Sequence, residues 1–461
     1  MTGLLFRGVE VDGSFADVLA IGGRIERVER GAPSMRPTGD IEIVEGDGGA
    51  LLPGLHDHHI HLAALAAAAG SVFVGPPHVS STQHLIDVLT SADRKLTAGE
   101  WIRATGYHES VAGPLDRHLL DRIVPGRPVR VQDRSGKRWT LNSEALRRIG
   151  PRVGADEGAD LESGVFDRAD EWLRDAIGAE FPDLTEVSRR LTACGVTGVT
   201  DCTPYDDPSG PDHLAAAVVR DEISQEVVVT GGANLTEHRF DPVLRQGPVK
   251  LVLDDDRLPD LDEFVDSIRR AHRADRPVAI HIVTAASLAF ALAAWDLAGV
   301  RPGDRIEHGS IIVPGAVARI VELGLAVVTQ PGFVAERGDH YLGDVDRDEI
   351  DSLYRCGSLF KLGVPIAGSS DAPYTDPDPW RGIAAAVVRR THSCRVIGRG
   401  ERLRPAEALG LYLRDPIDLG RLRRVEAGAV ADLCLLSRPL SADGLPCRSD
   451  VRATFRAGVR I

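Results

Sequence analysis

Four histidines crowd the run PGLHDHHIHL, at His56, His58, His59 and His61. Neutral imidazole is the commonest protein ligand for zinc and similar ions, and residues two apart on a strand face the same way. Treated as a strand, the run puts Asp57, His59 and His61 on one face and His56 and His58, with Ile60, on the other. The opposite register, with His56 and His58 turned inward, loses the HxH pair at the strand end. An HxH pair alone is weak evidence for a metal. The signal strengthens because Lys250, His281, His308 and Asp371 recur near the ends of separate apolar runs, PVKLVLD, PVAIHIV, DRIEHGS and VPIAGSSDAP. Each histidine singly reads as a satisfied buried side chain; as a set they point to a shared divalent ion, because buried polar groups need partners.

The elements that must position these groups alternate. Candidate strands at 51–61, 195–201, 226–232, 248–254, 277–283, 304–310, 325–331 and 364–373 are separated by helical patterns such as LTEVSRRLTACG, LDEFVDSIRRAHRA and AASLAFALAAWDLAG. Strand–helix alternation is the mark of βαβ units around a parallel sheet, and about eight repeats are the number that closes a (β/α)8, TIM-like barrel, whose sites lie at the C-terminal ends of its strands. The first fifty residues instead read as short strands broken by glycine turns, and the chain ends likewise with ADLCLLS and VRATFRAGVRI, so the two ends are expected to pair in one small β domain. The expected division is a terminal domain of 1–54 and 403–461, and a barrel domain of 55–402. An insertion at about 76–190 carries its own strand RPVRVQD and helix NSEALRRIG.

Composition bounds the partners. With 461 residues and 43% hydrophobic content there is ample core material, and a net charge of -14 argues against nucleic acid or an anionic membrane as the main partner. Cys194, Cys202, Cys356, Cys394, Cys434 and Cys447 lack CxxC spacing, which fits a reduced, cytoplasmic protein. The alanine-rich stretch from Leu62 to Val74 is too short to span a bilayer. Lysine is confined to Lys95, Lys137, Lys250 and Lys361, so each one asks for a reason.

The segments PGLHDHHIHL, RPVRVQDRSGKRWTLNSEAL, LTACGVTGVTD, RIEHGSIIVPGAVARIVELGLAVVTQP, AGSSDAP and EAGAVADLCLL, in that order, resemble the amidohydrolase superfamily, in the branch called amidohydrolase family 3 that includes N-substituted formamide deformylases. The resemblance implies a metal-dependent barrel flanked by a β-sandwich built from both termini. It makes His59, His61, His281 and His308 metal ligands and Asp371 both ligand and proton shuttle. It puts Lys250 where many relatives carry a carboxylated lysine bridging two ions; the plain alternative is an ion pair with Asp254 or Asp255. Two positions depart from the pattern: Thr284 stands where deaminases of the superfamily place glutamate, and Ser135-Gly136-Lys137 stands where Ser-Gly-His is usual.

The chemistry expected is hydrolysis of a C–N bond in an amide-like small molecule (N-acyl, formamide or cyclic amide), by hydroxide generated on one or two divalent ions, zinc by default. Asp371 moves the proton and His308 or a metal steadies the oxyanion. Loops on a rigid scaffold set specificity, so Tyr107, His108, Glu109, Lys137 and Trp139 in the insertion, and Gln330 and Phe333 after the seventh strand, are candidate substrate contacts, with packed or solvated loop residues as the alternative. A decarboxylase or a carbon–carbon or ester hydrolase of the same fold, and an inactive binding relative, are the competing readings. A homodimer is the oligomeric option.

Overall fold

The structure, a computed structural model, describes residues 3–32, 35–36, 40–76, 78–97, 99–150, 159–178 and 181–461. Parts of the expected insertion, 77, 98, 151–158, 179 and 180, lie outside the described residues. The chain divides into two compact units, Met1–Leu62 with Asp183–Ile461, and Ala63–Pro182.

Eight parallel strands organise the first unit: β1 (Leu55–Ile60), β2 (Val196–Asp201), β3 (Glu226–Val229), β4 (Val249–Val252), β5 (Val278–Ile282), β6 (Arg305–His308), β7 (Ala326–Thr329) and β8 (Ile366–Gly368). Nearly every residue in them is buried, as parallel strands covered on both faces require, which is why they read as continuous apolar runs. Two of the helices between them start on side-chain caps. Asp260 accepts from the amides of Asp262 and Glu263 to open Leu261–Arg273, whose Phe264, Val265, Ile268 and Ala271 form the buried face. Thr284 and Ser287 make a reciprocal capping box for Ala285–Ala298.

The eight strands do not share one continuous ladder. β1, β2 and β3, with the short strand Arg245–Gln246, make a four-stranded sheet, and β4 to β8 in chain order make a five-stranded one. Single backbone bonds join the two: Lys250 N donates to Gly231 O (2.8 Å) on one flank, and on the other Asp371 N donates to His59 O (2.7 Å) and His61 N to Ala372 O (3.0 Å). The expectation of a closed ring is corrected to that extent. A buried arginine fills part of the first flank: Arg276 donates six hydrogen bonds to the carbonyls of Thr230, Leu235, Thr236, Gly247 and Pro248.

The chain ends form two further four-stranded sheets. One runs Arg24–Arg30, Ser14–Ile21, Gly3–Val11, Ile41–Glu45; the other runs Val459–Arg460, Val451–Arg456, Leu433–Leu436, Leu51–Pro53. N-terminal Leu51–Pro53 therefore pairs antiparallel with C-terminal Leu433–Leu436. Leu4, Phe6, Val18, Ile25, Leu433, Leu435 and Phe455 share one core between these sheets, and Phe6 meets Phe455 edge-on at 4.9 Å.

The second unit has a six-stranded sheet in the order Ala159–Asp160, Val165–Asp167, Arg138–Leu141, Val129–Asp133, Ile102–Tyr107, Val72–Phe73. Helices Thr82–Lys95, Arg117–Ile123 and Ser143–Ile149 pack with it. Asn142 caps the last of these and its amide also bonds the carbonyls of Val124 and Arg127, so one buried polar side chain ties three segments together.

Candidate active site

β1 is the pivot of the site, and its pairing with β2 is irregular: Val199 pairs with Asp57 but Asp201 with Ile60, which leaves one extra residue on β1. A bulge of this kind re-aims side chains and breaks strict alternation. As a result His59 and His61 do come together, rings 5.3 Å apart, but Asp57 does not join them as the i, i+2 reading expected. Its carboxylate instead accepts from Ser370 Oγ (2.5 Å), Ser370 N (3.0 Å) and His59 N (3.2 Å). Burial pushes Asp57 up to about 7 against the pull of the Ser370 bonds. Its role is to latch the β1 end to the turn carrying Asp371. His56 and His58 pair on their own, rings 4.6 Å apart, with His56 Nε2 bonded to Thr200 Oγ1 at 2.9 Å.

Asp371 stands at the meeting point. Its Oδ1 lies 3.2 Å from His61 Nε2 and 3.6 Å from His59 Nε2, and its Oδ2 lies 3.7 Å from His308 Nδ1. The rings of His59 and His308 are 4.6 Å apart and those of His308 and His281 4.5 Å. Lys250, the second residue of β4 rather than its last, spans the remaining distance with its long stem and sets Nζ 3.5 Å from His59 Nε2. Of the two acids named as its alternative partners, Asp255 accepts a hydrogen bond from Thr284. All six residues singled out for a metal thus gather in one cluster, with His59, Lys250, His308 and Asp371 buried and His61 and His281 half-buried. His308 and Asp371 both hold left-handed backbone, φ 68° and 56°, a strained state for non-glycine residues that is tolerated where surrounding bonds enforce it.

The donor types in the cluster suit a cation. Burial, reinforced by Lys250 for His59 and by His281 for His308, holds both imidazoles well below their ordinary pKa and so keeps them neutral donors of a lone pair. Asp371 Oδ1 is buried with no hydrogen-bond partner, a costly arrangement for a carboxylate that faces imidazoles alone. His59, His61 and Asp371 offer one atom each within 4.8 Å of one another, a donor set of nitrogen and oxygen suited to zinc or a similar divalent ion.

Three neighbours escaped the sequence reading. Glu307, one residue before His308, receives His59 Nδ1 on Oε2 at 2.5 Å and Arg305 Nε on Oε1 at 2.6 Å; the signal available was an acid inside the apolar run DRIEHGS. Thr203 Oγ1 meets His61 Nδ1 at 3.1 Å. Tyr374 stands edge-on to the His61 ring at 6.0 Å.

The expected substrate contacts distribute differently. Gln330 is fully buried, accepts from His308 Nδ1 (3.0 Å) and donates to Ser369 Oγ (3.0 Å), so its bonds serve an imidazole. Phe333 stacks on Tyr354 at 5.5 Å under the Arg337 guanidinium. In the second unit, Tyr107 donates to Gly113 O, His108 caps Glu109–Ala112, Glu109 is exposed, and Lys137 follows a turn at Asp133–Gly136. Trp139 is buried in that unit with the guanidinium groups of Arg103 and Arg130 each 5.2 Å from its ring.

Parallel strands that bring imidazoles, a lysine and a carboxylate to one point, with helices between them, make this a protein of the α/β class. Residues 42–461 match the Amidohydrolase family, and the chain belongs to that family, hydrolases of carbon–nitrogen bonds. It is 24% identical to the N-substituted formamide deformylase of Arthrobacter pascens, over 91% of this chain and 90% of that protein. It is also 24% identical to the putative amidohydrolase YtcJ of Bacillus subtilis (strain 168), over 76% of each. Among solved structures, an uncharacterized metal-dependent hydrolase from Pyrococcus furiosus superposes with a TM-score of 0.73 at 22% identity, covering 95% of this chain and 99% of that one. A Pyrococcus horikoshii OT3 counterpart gives 0.75 at 19%, covering 95% and 97%. Among the described residues no helix is long and apolar enough to cross a membrane.

Proposed function

We propose that the protein is a metal-dependent hydrolase that cleaves the C–N bond of an amide-like small molecule, with N-acyl, formamide or cyclic amide compounds as the substrate class. On this reading the two parallel sheets act as one (β/α)8 barrel and the terminal sheets as its β-sandwich. The observation that carries the proposal is the buried, unbonded Oδ1 of Asp371 facing His61 Nε2 and His59 Nε2 at 3.2 and 3.6 Å. The formamide deformylase among the relatives supports the substrate class.

His59, His61, His281, His308 and Asp371 hold one or two divalent ions, zinc first among the candidates, and Lys250 serves as a further ligand after carboxylation. A bound divalent ion supplies Lewis acidity, polarising the carbonyl and making water acidic enough to yield hydroxide near neutral pH. Asp371 accepts the proton of the attacking water as the new C–O bond forms, and delivers it to the nitrogen as the C–N bond breaks, so the amine leaves neutral and the carboxylate is restored. His308 donates its Nδ1–H to Gln330, which leaves Nε2 as a lone-pair donor toward an ion, so the negative oxygen of the tetrahedral state would be steadied by the ion rather than by this imidazole.

The test is elemental analysis of the purified protein followed by a screen of N-acyl and formyl compounds with and without chelator. The expected result is bound divalent metal and hydrolysis that chelation abolishes. Asp371→Asn keeps the fold and loses at least about 100-fold in kcat. Full activity after all metal is stripped, or an active Asp371→Asn variant, overturns the proposal.

A further inference from the structure

An imidazole that gives a lone pair to a metal has one bare nitrogen, so something must decide which nitrogen that is. For His59 the structure contains the deciding group. Glu307 is completely buried, its Oε2 sits 2.5 Å from His59 Nδ1, and its other oxygen is engaged by Arg305 Nε at 2.6 Å. A carboxylate accepts and does not donate, so Nδ1 must carry the hydrogen and the lone pair is left on Nε2. That Nε2 is the atom that faces Asp371 Oδ1 and Lys250 Nζ. Arg305 is itself buried and its second branch lies 3.9 Å from Cys202 Sγ, so the guanidinium is fixed from two sides. His59, Cys202 and Glu307 also lie close enough to bind an ion, but the guanidinium bonded to both Cys202 and Glu307 occupies that place with positive charge.

We propose that Glu307 is a positioning residue: held by Arg305, it sets the tautomer and ring orientation of His59 so that Nε2 is presented to a divalent ion. This rests on the metal-dependent reading above and extends it to a group that touches neither ion nor substrate. Carboxylates behind metal-bound imidazoles typically govern affinity 10- to 100-fold. The competing account is structural only: Glu307 exists to neutralise a buried arginine, and His59 is an incidental neighbour. The two accounts separate in the double variant R305M/E307L, because it removes the buried arginine's charge together with the carboxylate and puts no acceptor opposite His59 Nδ1.

The experiment titrates Zn2+ into metal-stripped full-length wild type, E307L and R305M/E307L against a chromophoric chelator, with thermal unfolding as the fold control. A 15N imidazole spectrum of His59 in the stripped proteins reports the tautomer directly. We expect wild type to bind Zn2+ with His59 in the Nδ1–H form, and both variants to bind 10- to 100-fold more weakly with that tautomer no longer dominant. If E307L fails to fold, R305M/E307L, which leaves no charge stranded, carries the same test. Affinity in R305M/E307L equal to that of wild type, or an unchanged tautomer, overturns the proposal and leaves the metal reading standing. Wild-type protein that takes up no Zn2+ at the site overturns both.

Discussion

Arg276 is the strongest structural prediction outside the site, because a guanidinium only 2% exposed bridges the flank where the two parallel sheets lack a ladder. It precedes β5 and donates to five carbonyls, among them Thr230 O beyond β3 and Gly247 O and Pro248 O before β4, while lying 5.7 Å from the Phe240 ring. Leu235 O keeps a second donor in His238 N, so Arg276→Met strips the guanidinium bond from four carbonyls with no such substitute. At roughly 1–3 kcal/mol for each unsatisfied buried group, the loss is about 4–12 kcal/mol. Against this, burial holds the Arg276 pKa down at about 10 from 12.5, equivalent to about 3 kcal/mol of charge-burial cost that methionine does not incur. The net expectation is destabilisation on the order of 4 kcal/mol, a large part of a typical fold's margin. Arg276→Lys keeps the charge but offers a point donor in place of a planar fork, and should lose about half as much. Urea unfolding followed by tryptophan fluorescence, with Trp295 and Trp380 buried in the same unit, gives the measurement. An Arg276→Met protein within 1 kcal/mol of wild type would refute the claim that these bonds hold the flank together.

Two further outcomes follow from burial. His58 is completely buried and both its ring nitrogens lack hydrogen-bond partners, so His58→Leu should stabilise the metal-stripped protein at pH 7.5 by about 1–3 kcal/mol, less any packing misfit. Burial holds His58 well below 6.5 in the fold; the unfolded chain therefore binds the extra proton below pH 6.5, wild-type stability falls as pH drops through that window, and the advantage of His58→Leu should widen by about 1 kcal/mol by pH 5.5. A variant whose advantage is flat with pH, read from paired denaturation curves, would show that this imidazole does not remain neutral in the fold. For the thiols, burial pushes Cys194 and Cys434 up to about 12 and Cys356 to about 11, and holds Cys202 well above its ordinary value, whereas Cys394 and Cys447 are exposed. Iodoacetamide at pH 8 should label those two quickly and the other four only after denaturation, checked by peptide mass mapping; fast labelling of Cys202 would contradict its place behind Arg305.

What was legible in the sequence was the part governed by period and burial. A strand covered on both faces must be apolar throughout, so a histidine, lysine or aspartate in such a run is conspicuous, and that is how His59, His61, Lys250, His281, His308 and Asp371 could be grouped before any contact was known. Two kinds of information were not local. The first is register: the extra residue between Asp57 and Ile60 has no signature in the string PGLHDHHIHL, and it turns Asp57 from an expected neighbour of the imidazoles into the acceptor that holds Ser370. The second is reciprocity. Glu307 and Gln330 read as an acid in a strand and a loop amide, and only the fold shows that each is spent on an imidazole from a different stretch or on the adjoining strand end. The same logic separates two aspartates that the sequence leaves alike. Asp57 has donors for both oxygens and does structural work, whereas Asp371 keeps Oδ1 without a hydrogen-bond partner and has three imidazoles within 3.7 Å, and that unmatched buried oxygen is the physical reason Asp371 and not Asp57 is the acid proposed for the chemistry.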